Sequence, residues 1–399
     1  NKLIGGNFRI GVSQAMIVNA LAKVYAIEAQ ALTHRISGQW TPDTITFDEL
    51  LTGEHVRTDA SKPYPFYLAY AVEGPDLPGL GDPGDWQVEW KWDGIRAQVI
   101  KRKDEVFAWS RGEDLITERF PEISAAAATL PNGTVLDGEV LPWIDGKVLP
   151  FTELQKRIGR KNVSAKILAE VPVVLECYDL LEYEGQDIRS VEFKTRREFL
   201  ENIIEGLEED ARKYIRLTPV VEAGNWKDLA VIREQSRFLG VEGFMLKRRE
   251  SPYRTGRHRG DWWKWKIDPL TIDAVLIYAQ KGTGKRSNLF TDYTFAVWKD
   301  DVLVPFAKAY SGLTDVEIRK VDRYVRDNTV ETFGPVRSVT PKLVFEIAFE
   351  ALQRSSRHKS GVAVRFPRIS RWRDDKTIEQ ADSLDTIYTM LDAYQNPGK

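Results

Sequence analysis

Cysteine is almost absent from this 399-residue chain: Cys177 stands alone. One thiol excludes an intrachain disulfide framework and any Cys-rich zinc module, and a reducing interior becomes the natural compartment. Also missing is a run of about 18 apolar residues, and the start NKLIGGNFRI has no signal-peptide plan. Membrane insertion and secretion are therefore disfavoured, and the cytoplasm is the expected location. Net charge is nearly absent too: 57 Lys and Arg face 59 Asp and Glu, for a formal −2. That balance excludes a uniformly basic nucleic-acid coat but leaves local basic patches open. What is abundant is core-forming material, 42% hydrophobic against 29% charged residues, enough for two or three domains.

Along the chain, residues 13 to 38 read as a helix with apolar Met16, Ile17, Leu21, Val24 and Ile27. The stretches 53–65 and 74–85 are rich in polar residues, proline and glycine and read as loop or linker. From Trp86 the texture changes to short strands, WQVEWKW, AQVIKR and EVFAWS, separated by Asp-Gly and Lys-Asp turn signals. Two helices follow, over 195–204 and 226–239, ending at Gly206 and Gly240. Beyond Pro269 the pattern is strand-rich again, interrupted by a helix from Thr314 with a capping box to Glu317. KLVFEIAFEAL alternates as a strand with Leu343, Phe345, Ile347 and Phe349 on one face. About five strands and one helix in this last part suit a small closed barrel.

Charge is unevenly spread. Residues 247–266 and 354–376 each hold eight Lys/Arg against two acids, both interleaved with aromatic residues, so the rest of the chain is correspondingly acidic. A charge run alone is most often a solvated face; two such windows with aromatics point to phosphate or nucleic-acid contact.

The string EWKWDGIR, with Lys91, Asp93, Gly94 and Arg96, taken alone is a hairpin signal. Its company changes the reading. Downstream lie VLDGEV (Asp137, Gly138, Glu139), VVLECYDL (Tyr178, Asp179), VEGFMLKR (Glu242, Gly243, Lys247), DWWKWK (Lys264, Lys266) and RFPRISRWRDDK. In this order the strings resemble motifs I, III, IIIa, IV, V and VI of the covalent nucleotidyltransferases, specifically the bacterial ATP-dependent DNA ligases. The resemblance runs from about residue 60 to the C-terminus, and the last string is more similar to DNA ligases than to mRNA capping enzymes.

The chemistry requires these residue types. A lysine that bonds to the α-phosphate of ATP must be neutral, whereas a free one titrates near about 10.4. Nearby cations and a bound metal disfavour the ammonium. In WKWK, strand alternation puts Lys264 and Lys266 on one face and Trp263 and Trp265 on the other, so both lysines can face one phosphate, although the pattern also suits a plain amphipathic strand. Carboxylates are needed because magnesium offsets the charge of the triphosphate and leaving pyrophosphate.

The resemblance implies the roles residue by residue. Lys91 is the nucleophile, with Lys264 and Lys266 as catalytic partners on the phosphate. Glu242 and Glu139 hold metal, Glu139 also being a ribose candidate; the ion is Mg2+, with Mn2+ as a substitute. Tyr178 stands where relatives commonly stack a phenylalanine on the base. Glu89 matches the position that reads the adenine edge, and Arg96 and Arg111 match arginines near the sugar and phosphates. Lys247 completes motif IV. Arg365, Arg368, Arg373, Asp375 and Lys376 match motif VI, which orients pyrophosphate from a mobile C-terminal domain, with Phe366, Ile369 and Trp372 as apolar anchors. KGTGKRSN, residues 281–288, lacks phosphate-loop spacing and reads as a barrel loop. The four histidines have no metal-ligand spacing, and Cys177 reads as a small buried residue.

The expected architecture is mixed α/β (α+β): a helical N-terminal remnant of a DNA-binding domain (1–55), an ATP-grasp-like nucleotidyltransferase domain (56–268) and an OB-fold barrel (269–399). The start at Asn1 suggests a fragment. The expected reaction seals 5′-phosphate/3′-hydroxyl nicks in duplex DNA through lysyl-AMP and a DNA-adenylate, by a monomer away from membranes. The alternatives are an RNA ligase, a GTP-dependent capping-type enzyme, or a non-catalytic nucleic-acid-binding relative.

Overall fold

A computed structural model describes residues 12, 14–27, 29–36, 43–52, 60–158, 160, 163–282 and 284–395. They fall into two compact units, one up to Ile267 and the other from Asp268.

The first unit begins with helices α1 (Gln14–Tyr25), α2 (Ala29–Ile36) and α3 (Phe47–Thr52). The single helix expected over 13–38 is two, because Ala26 takes a φ of 52°, a left-handed conformation that ends α1. Val18, Leu32, Ile36, Leu50 and Leu51 make a small core of their own. Of the linker expected over 53–65, residues 53–59 lie outside the described part, and Lys62–Pro65 are buried. Tyr64 explains this: its amide donates to Gln98 Oε1 at 2.7 Å, its carbonyl accepts from Gln98 Nε2 at 2.8 Å, and its hydroxyl donates to Glu182 at 2.8 Å. The segment is stitched to a sheet instead of hanging free.

Two sheets follow. One has β1 (Trp86–Trp90), β7 (Gly243–Arg248) and β8 (Trp262–Lys266), with a two-residue strand Tyr70–Ala71 beside β8. The other runs β6 (Ile215–Leu217), β5 (Val173–Tyr183), β4 (Thr134–Ile144), β2 (Ile95–Arg102), β3 (Glu105–Ser110). Its outer face, with Val99, Leu136, Leu175 and Leu180, packs on helices α4 (Pro121–Ala127) and α5 (Phe193–Glu205) through Ile123, Leu200 and Ile204. The first sheet's outer face, with Val88, Phe244, Leu246 and Trp265, packs on Leu229 of α6 (Trp226–Arg233). The helix expected over 226–239 is broken: Gly240 at φ 69° caps a separate turn, Ser236–Leu239. Between the sheets sits a smaller core of Tyr64, Tyr67, Ile100, Trp109, Val135, Leu181, Tyr253 and Trp262.

The Asp93-Gly94 pair makes no hairpin. β1 pairs with β7, and β2 pairs with β3 and β4, so the chain crosses between sheets here. Gly94 is required by close approach: a Cβ there would overlap the Val140 carbonyl oxygen.

The second unit is a curled sheet ordered β11 (Val302–Ala309), β10 (Phe290–Lys299), β9 (Leu270–Lys281), β13 (Val336–Val339), β12 (Thr329–Phe333), with β14 (Val344–Phe349) pairing both β9 and β15 (Arg368–Trp372). β9 is long enough to take β14 along its first half and β13 along its last. Phe345, Ile347 and Phe349 enter the core, and Val344 and Ala348 are buried too, since β14 is an interior strand. Helix α7 (Asp315–Asp327) starts at the Thr314–Glu317 capping box. A second helix, α8 (Leu384–Gln395), was not expected, although Leu384, Ile387 and Leu391 have helical spacing and fill the same core. Together these elements make the mixed α/β fold of a nucleotidyltransferase domain followed by an OB-type barrel.

The curl closes where Ile369 N donates to Ser311 O at 2.9 Å. There Gly312 has φ 111°, and a Cβ would overlap the Ile369 carbonyl. Gly312→Ala is therefore expected to cost about 2 kcal/mol or more, against about 1 for Gly334→Ala, where φ is 56° with nothing within 4 Å. Urea unfolding of the two variants checks the difference.

Candidate active site

Register decides what faces the gap between the sheets. Gly243 opposes Lys266, Met245 opposes Lys264 and Glu89, and Lys247 opposes Trp262 and Gln87. These residues share one face, while Val88, Phe244, Leu246, Trp263 and Trp265 take the other and are buried. The tryptophans anchor β8 and the lysines look into the cleft.

At the end of β1, Lys91 Nζ lies 2.5 Å from the Glu242 carboxylate, and Lys266 Nζ lies 3.3 Å from the same group. Backbone bonds fix them: Lys91 N donates to Gly243 O and Glu242 N to Lys91 O, both at 2.8 Å. Burial opposes ionisation of Glu242, yet Lys91 and Lys266 hold its pKa below the ordinary carboxylate value. Burial, then the charges of Lys91, Lys266 and Arg257, push Lys264 below the usual lysine value. From the opposite sheet, Glu139 accepts the Gly94 amide at 3.2 Å. Burial raises it to about 7, against the pull of Lys91 and Arg96. The structure thus brings Lys91, Glu242, Lys264, Lys266 and Glu139 together.

Other expected residues are engaged differently. Glu89 and Lys247 are 1% exposed each and pair with one another at 2.7 Å. Glu89 also accepts from Gln87 at 2.6 Å and meets Arg197 at 3.5 Å. Lys247 sits in an aromatic box, 4.3 Å from the Tyr178 centroid, 4.7 Å from Trp262 and 4.9 Å from Phe193. Burial drives its pKa down, with Glu89 opposing. Arg96 is a clamp: it bonds Asp137 at 2.6 and 3.1 Å, Tyr67 O at 2.5 Å and Tyr253 Oη at 3.2 Å. The expectations that Glu89 and Lys247 contact the nucleotide and that Arg96 reaches its sugar and phosphates thus concern three charges that these protein partners hold in place, as buried charges require. Arg111 is exposed in the turn after β3, its amide bonded to Arg96 O at 3.1 Å. Tyr178 is half-buried on the cleft face, 5.7 Å from the Arg96 guanidinium.

Sequence reasoning missed three participants. Asp137 and Tyr253 complete the Arg96 clamp, with Tyr253 Oη donating to Asp137 at 2.7 Å; Asp137 stands in the Asp-Gly-Glu string, whereas Tyr253 gave no signal. Glu176, directly opposite Glu139 in the β4–β5 register, is 3% exposed and has a carboxylate oxygen without a hydrogen-bond partner. Only the pairing of β4 with β5 reveals it.

In the second unit, Arg373 and Lys376 both grip Asp273, at 2.8 and 2.5 Å, and Arg373 also holds Asp375 at 2.7 Å. Arg368 pairs with Glu350 at 2.9 Å. Arg365 lies over the Phe366 ring at 5.0 Å. Ile369 and Trp372 anchor the segment as expected. Phe366 does not: it is 64% exposed, with φ 53°, because it forms the turn into β15.

The side chain of His34 and all of His55 lie outside the described residues. Cys177 is buried, and burial pushes its thiol well above its ordinary range, which makes it inert. Among the described residues no three His, Cys, Asp or Glu side chains could share a metal. Two separate carboxylates, one from each sheet, suit magnesium, which keeps waters and takes phosphate oxygens.

Burial raises Glu176 to about 7, with Arg216 and Arg197 pulling the other way and Glu139 beside it. A carboxyl raised in the folded state stabilises below its unfolded value of 4.5 and loses that contribution as pH climbs through about 7. Glu176→Gln is therefore expected to be less sensitive to a change from pH 5 to pH 8 than the parent, read as the shift in urea midpoint between the two conditions.

Residues 80–266 match the model of the ATP dependent DNA ligase domain, and residues 286–376 match the ATP dependent DNA ligase C terminal region. The chain is 36% identical to a probable DNA ligase of Koribacter versatilis over 96% of its length and 70% of that protein's. It is 34% identical to a probable DNA ligase of Opitutus terrae over all of its own length, of which it spans only 45%. Among solved structures, Pmar-Lig_PreS3 superposes with a TM-score of 0.62 at 18% identity over 82% of this chain and 72% of that one. A structure from a study of Lig E DNA ligases superposes at 0.53 and 17%, over 78% of this chain and 100% of that one. The two structures show a shared fold. No described helix is long and apolar enough to cross a membrane. With motifs, domains and relatives in agreement, the chain belongs to the ATP-dependent DNA ligase family.

Proposed function

We propose that Lys91 is the nucleophile of an ATP-dependent sealing of nicks in duplex DNA. The observation that carries this reading is the cluster in which the Lys91 amine, the Glu242 carboxylate and Lys266 meet within 3.3 Å, with Lys264 opposite Met245 on the same sheet face. First, Lys91 Nζ, without its proton, bonds to the α-phosphorus of ATP, and the bond to the bridging oxygen breaks to release pyrophosphate. Next, an oxygen of the DNA 5′-phosphate attacks that phosphorus, the P–N bond breaks and the amine regains a proton. Finally, the 3′-hydroxyl attacks the 5′-phosphate, loses its proton and expels AMP.

Each side chain has a part. Lys264 and Lys266 receive the α-phosphate and stabilise charge that develops on it. Magnesium, with manganese as a substitute, would be held by Glu242 and Glu139 and would offset the charge of the triphosphate. Lys264 and Lys266 supply beside Lys91 the cationic surroundings a lysine nucleophile needs, and a cation held by Glu242 would compete with Lys91 for that carboxylate. Tyr178 offers an aromatic face to the base. Arg111, exposed beside the cleft strand, serves sugar and phosphates. Arg365, Arg368, Arg373 and Lys376 would orient pyrophosphate, which requires Arg373 and Lys376 to leave Asp273. We further assign residues 1–55 to a DNA-binding region, 56–268 to adenylation and 269–399 to the barrel, working as a monomer in the cytoplasm.

Incubation with α-labelled ATP and magnesium, followed by a denaturing gel, should show a covalent adduct in the parent and none in Lys91→Ala. An adduct that survives in Lys91→Ala, or none in the parent, overturns the assignment. Chase of the labelled protein with nicked DNA should transfer the label to the 5′-phosphate.

A further inference from the structure

The end of the second basic window is neutralised by its own surroundings. Arg371, Arg373 and Lys376 meet Glu346, Asp375 and Asp273, three cations against three carboxylates. Asp273, on β9, is the buried member, 7% exposed. Its carboxylate accepts from Arg373 Nη1 on both oxygens, at 2.8 and 3.1 Å, and from Lys376 Nζ at 2.5 Å. Across the β9–β14 ladder Asp273 stands directly opposite Glu346, which lies 3.9 Å from the same Arg373. Like charges so placed repel, and the cations relieve that repulsion. When Arg373 and Lys376 turn away, a buried carboxylate loses its partners beside a second one, so the contact resists opening.

The main chain holds both sides of the contact in place. The Asp273 amide donates to the Asp382 carboxylate and the Asp382 amide to Asp273 O, both at 2.8 Å, so Asp273 cannot follow the cations. Arg373 N donates to Val344 O at 2.9 Å and Lys376 N to Arg373 O at 3.2 Å, so these two need only turn their side chains.

We propose that Asp273 is a positioning residue that takes the place of a pyrophosphate: it holds Arg373 and Lys376 until a triphosphate displaces it, and so sets the concentration of ATP that the first step requires. The inference rests on the reading of these two cations as pyrophosphate ligands. A carboxylate and a phosphate offer a guanidinium the same pair of anionic oxygens, so the two compete for it. A ligand whose binding-competent state is only partly populated binds more weakly by that fraction. Removing the Asp273 charge therefore strengthens the hold on the nucleotide, whereas loss of a merely structural ion pair does not.

The test follows self-adenylation of the full chain over a range of α-labelled ATP concentrations with magnesium. Asp273→Asn keeps the shape and loses the charge. Its half-saturating ATP concentration should fall by about fivefold or more, with the maximal rate little changed. The labelled adduct, freed of ATP, is then treated with inorganic pyrophosphate: a pyrophosphate oxygen bonds to the adenylate phosphorus, the P–N bond breaks, the nitrogen gains a proton and ATP leaves. Half-maximal loss of label should come at a pyrophosphate concentration lower by a similar factor. Asp273→Glu, which keeps the charge, should stay near the parent in both assays. An unchanged or raised half-saturating concentration in Asp273→Asn overturns the proposal, as does an Asp273→Glu that behaves like it. If Asp273→Asn shows no cooperative urea transition, Asp273→Ser takes its place with the same two expectations. Should Arg373→Ala and Lys376→Ala leave the pyrophosphate dependence unchanged, the reading of those cations falls and this proposal with it. A parent that forms no adduct refutes the nucleotide reading itself.

Discussion

Charges buried between two sheets are the constraint on which the first unit depends. Arg96 with Asp137 and Tyr253 ties the paired strands β2 and β4 to the segment after β7, and Glu89 with Lys247, Gln87 and Arg197 ties the paired strands β1 and β7 to helix α5. Removing one partner of such a pair typically costs about 3–5 kcal/mol, because the other charge stays buried alone. The seam therefore holds one geometry, and Lys91 at the end of β1 is delivered to a fixed place. The Lys91–Gly94 crossover runs from one sheet to the other, so Lys91 and Glu139 approach from opposite walls.

This division of labour explains why several conspicuous cations are held by carboxylates and aromatic rings. A cleft that concentrates positive charge needs a scaffold, and the scaffold is built from the same residue types. Lys247 lies in an aromatic box and Arg96 in a carboxylate clamp, whereas Lys264 and Lys266 keep their ammonium groups on the cleft side, with Trp263 and Trp265 fixing the strand from behind. In the second basic window, Asp273, Glu346 and Glu350 neutralise much of the charge locally, so the segment is folded onto the barrel and is no loose tail.

Much of this was legible beforehand where chemistry is local. The alternation of WKWK, the capping box at Thr314 and the order of the motif strings all rest on neighbours in sequence. The reading went wrong where a residue's fate depends on distant partners. Asp-Gly reads as a hairpin from its own dihedral preferences, yet the strands on either side pair elsewhere. Phe366 is apolar and reads as an anchor, but the turn into β15 turns it outward. Lys62–Pro65 reads as linker because proline and lysine are loop residues, and Gln98 and Glu182 make it part of the fold.

By itself the amino-acid order determined the family and singled out Lys91, Glu139 and Glu242 as candidates, since these depend on residue type and sequence order. Tertiary structure alone decided which charges lie within the scaffold and which face the cleft. That Glu89 pairs with Lys247 and that Glu176 lies opposite Glu139 follow from the strands set beside them, and pairing between strands so far apart in the chain leaves no trace in local pattern.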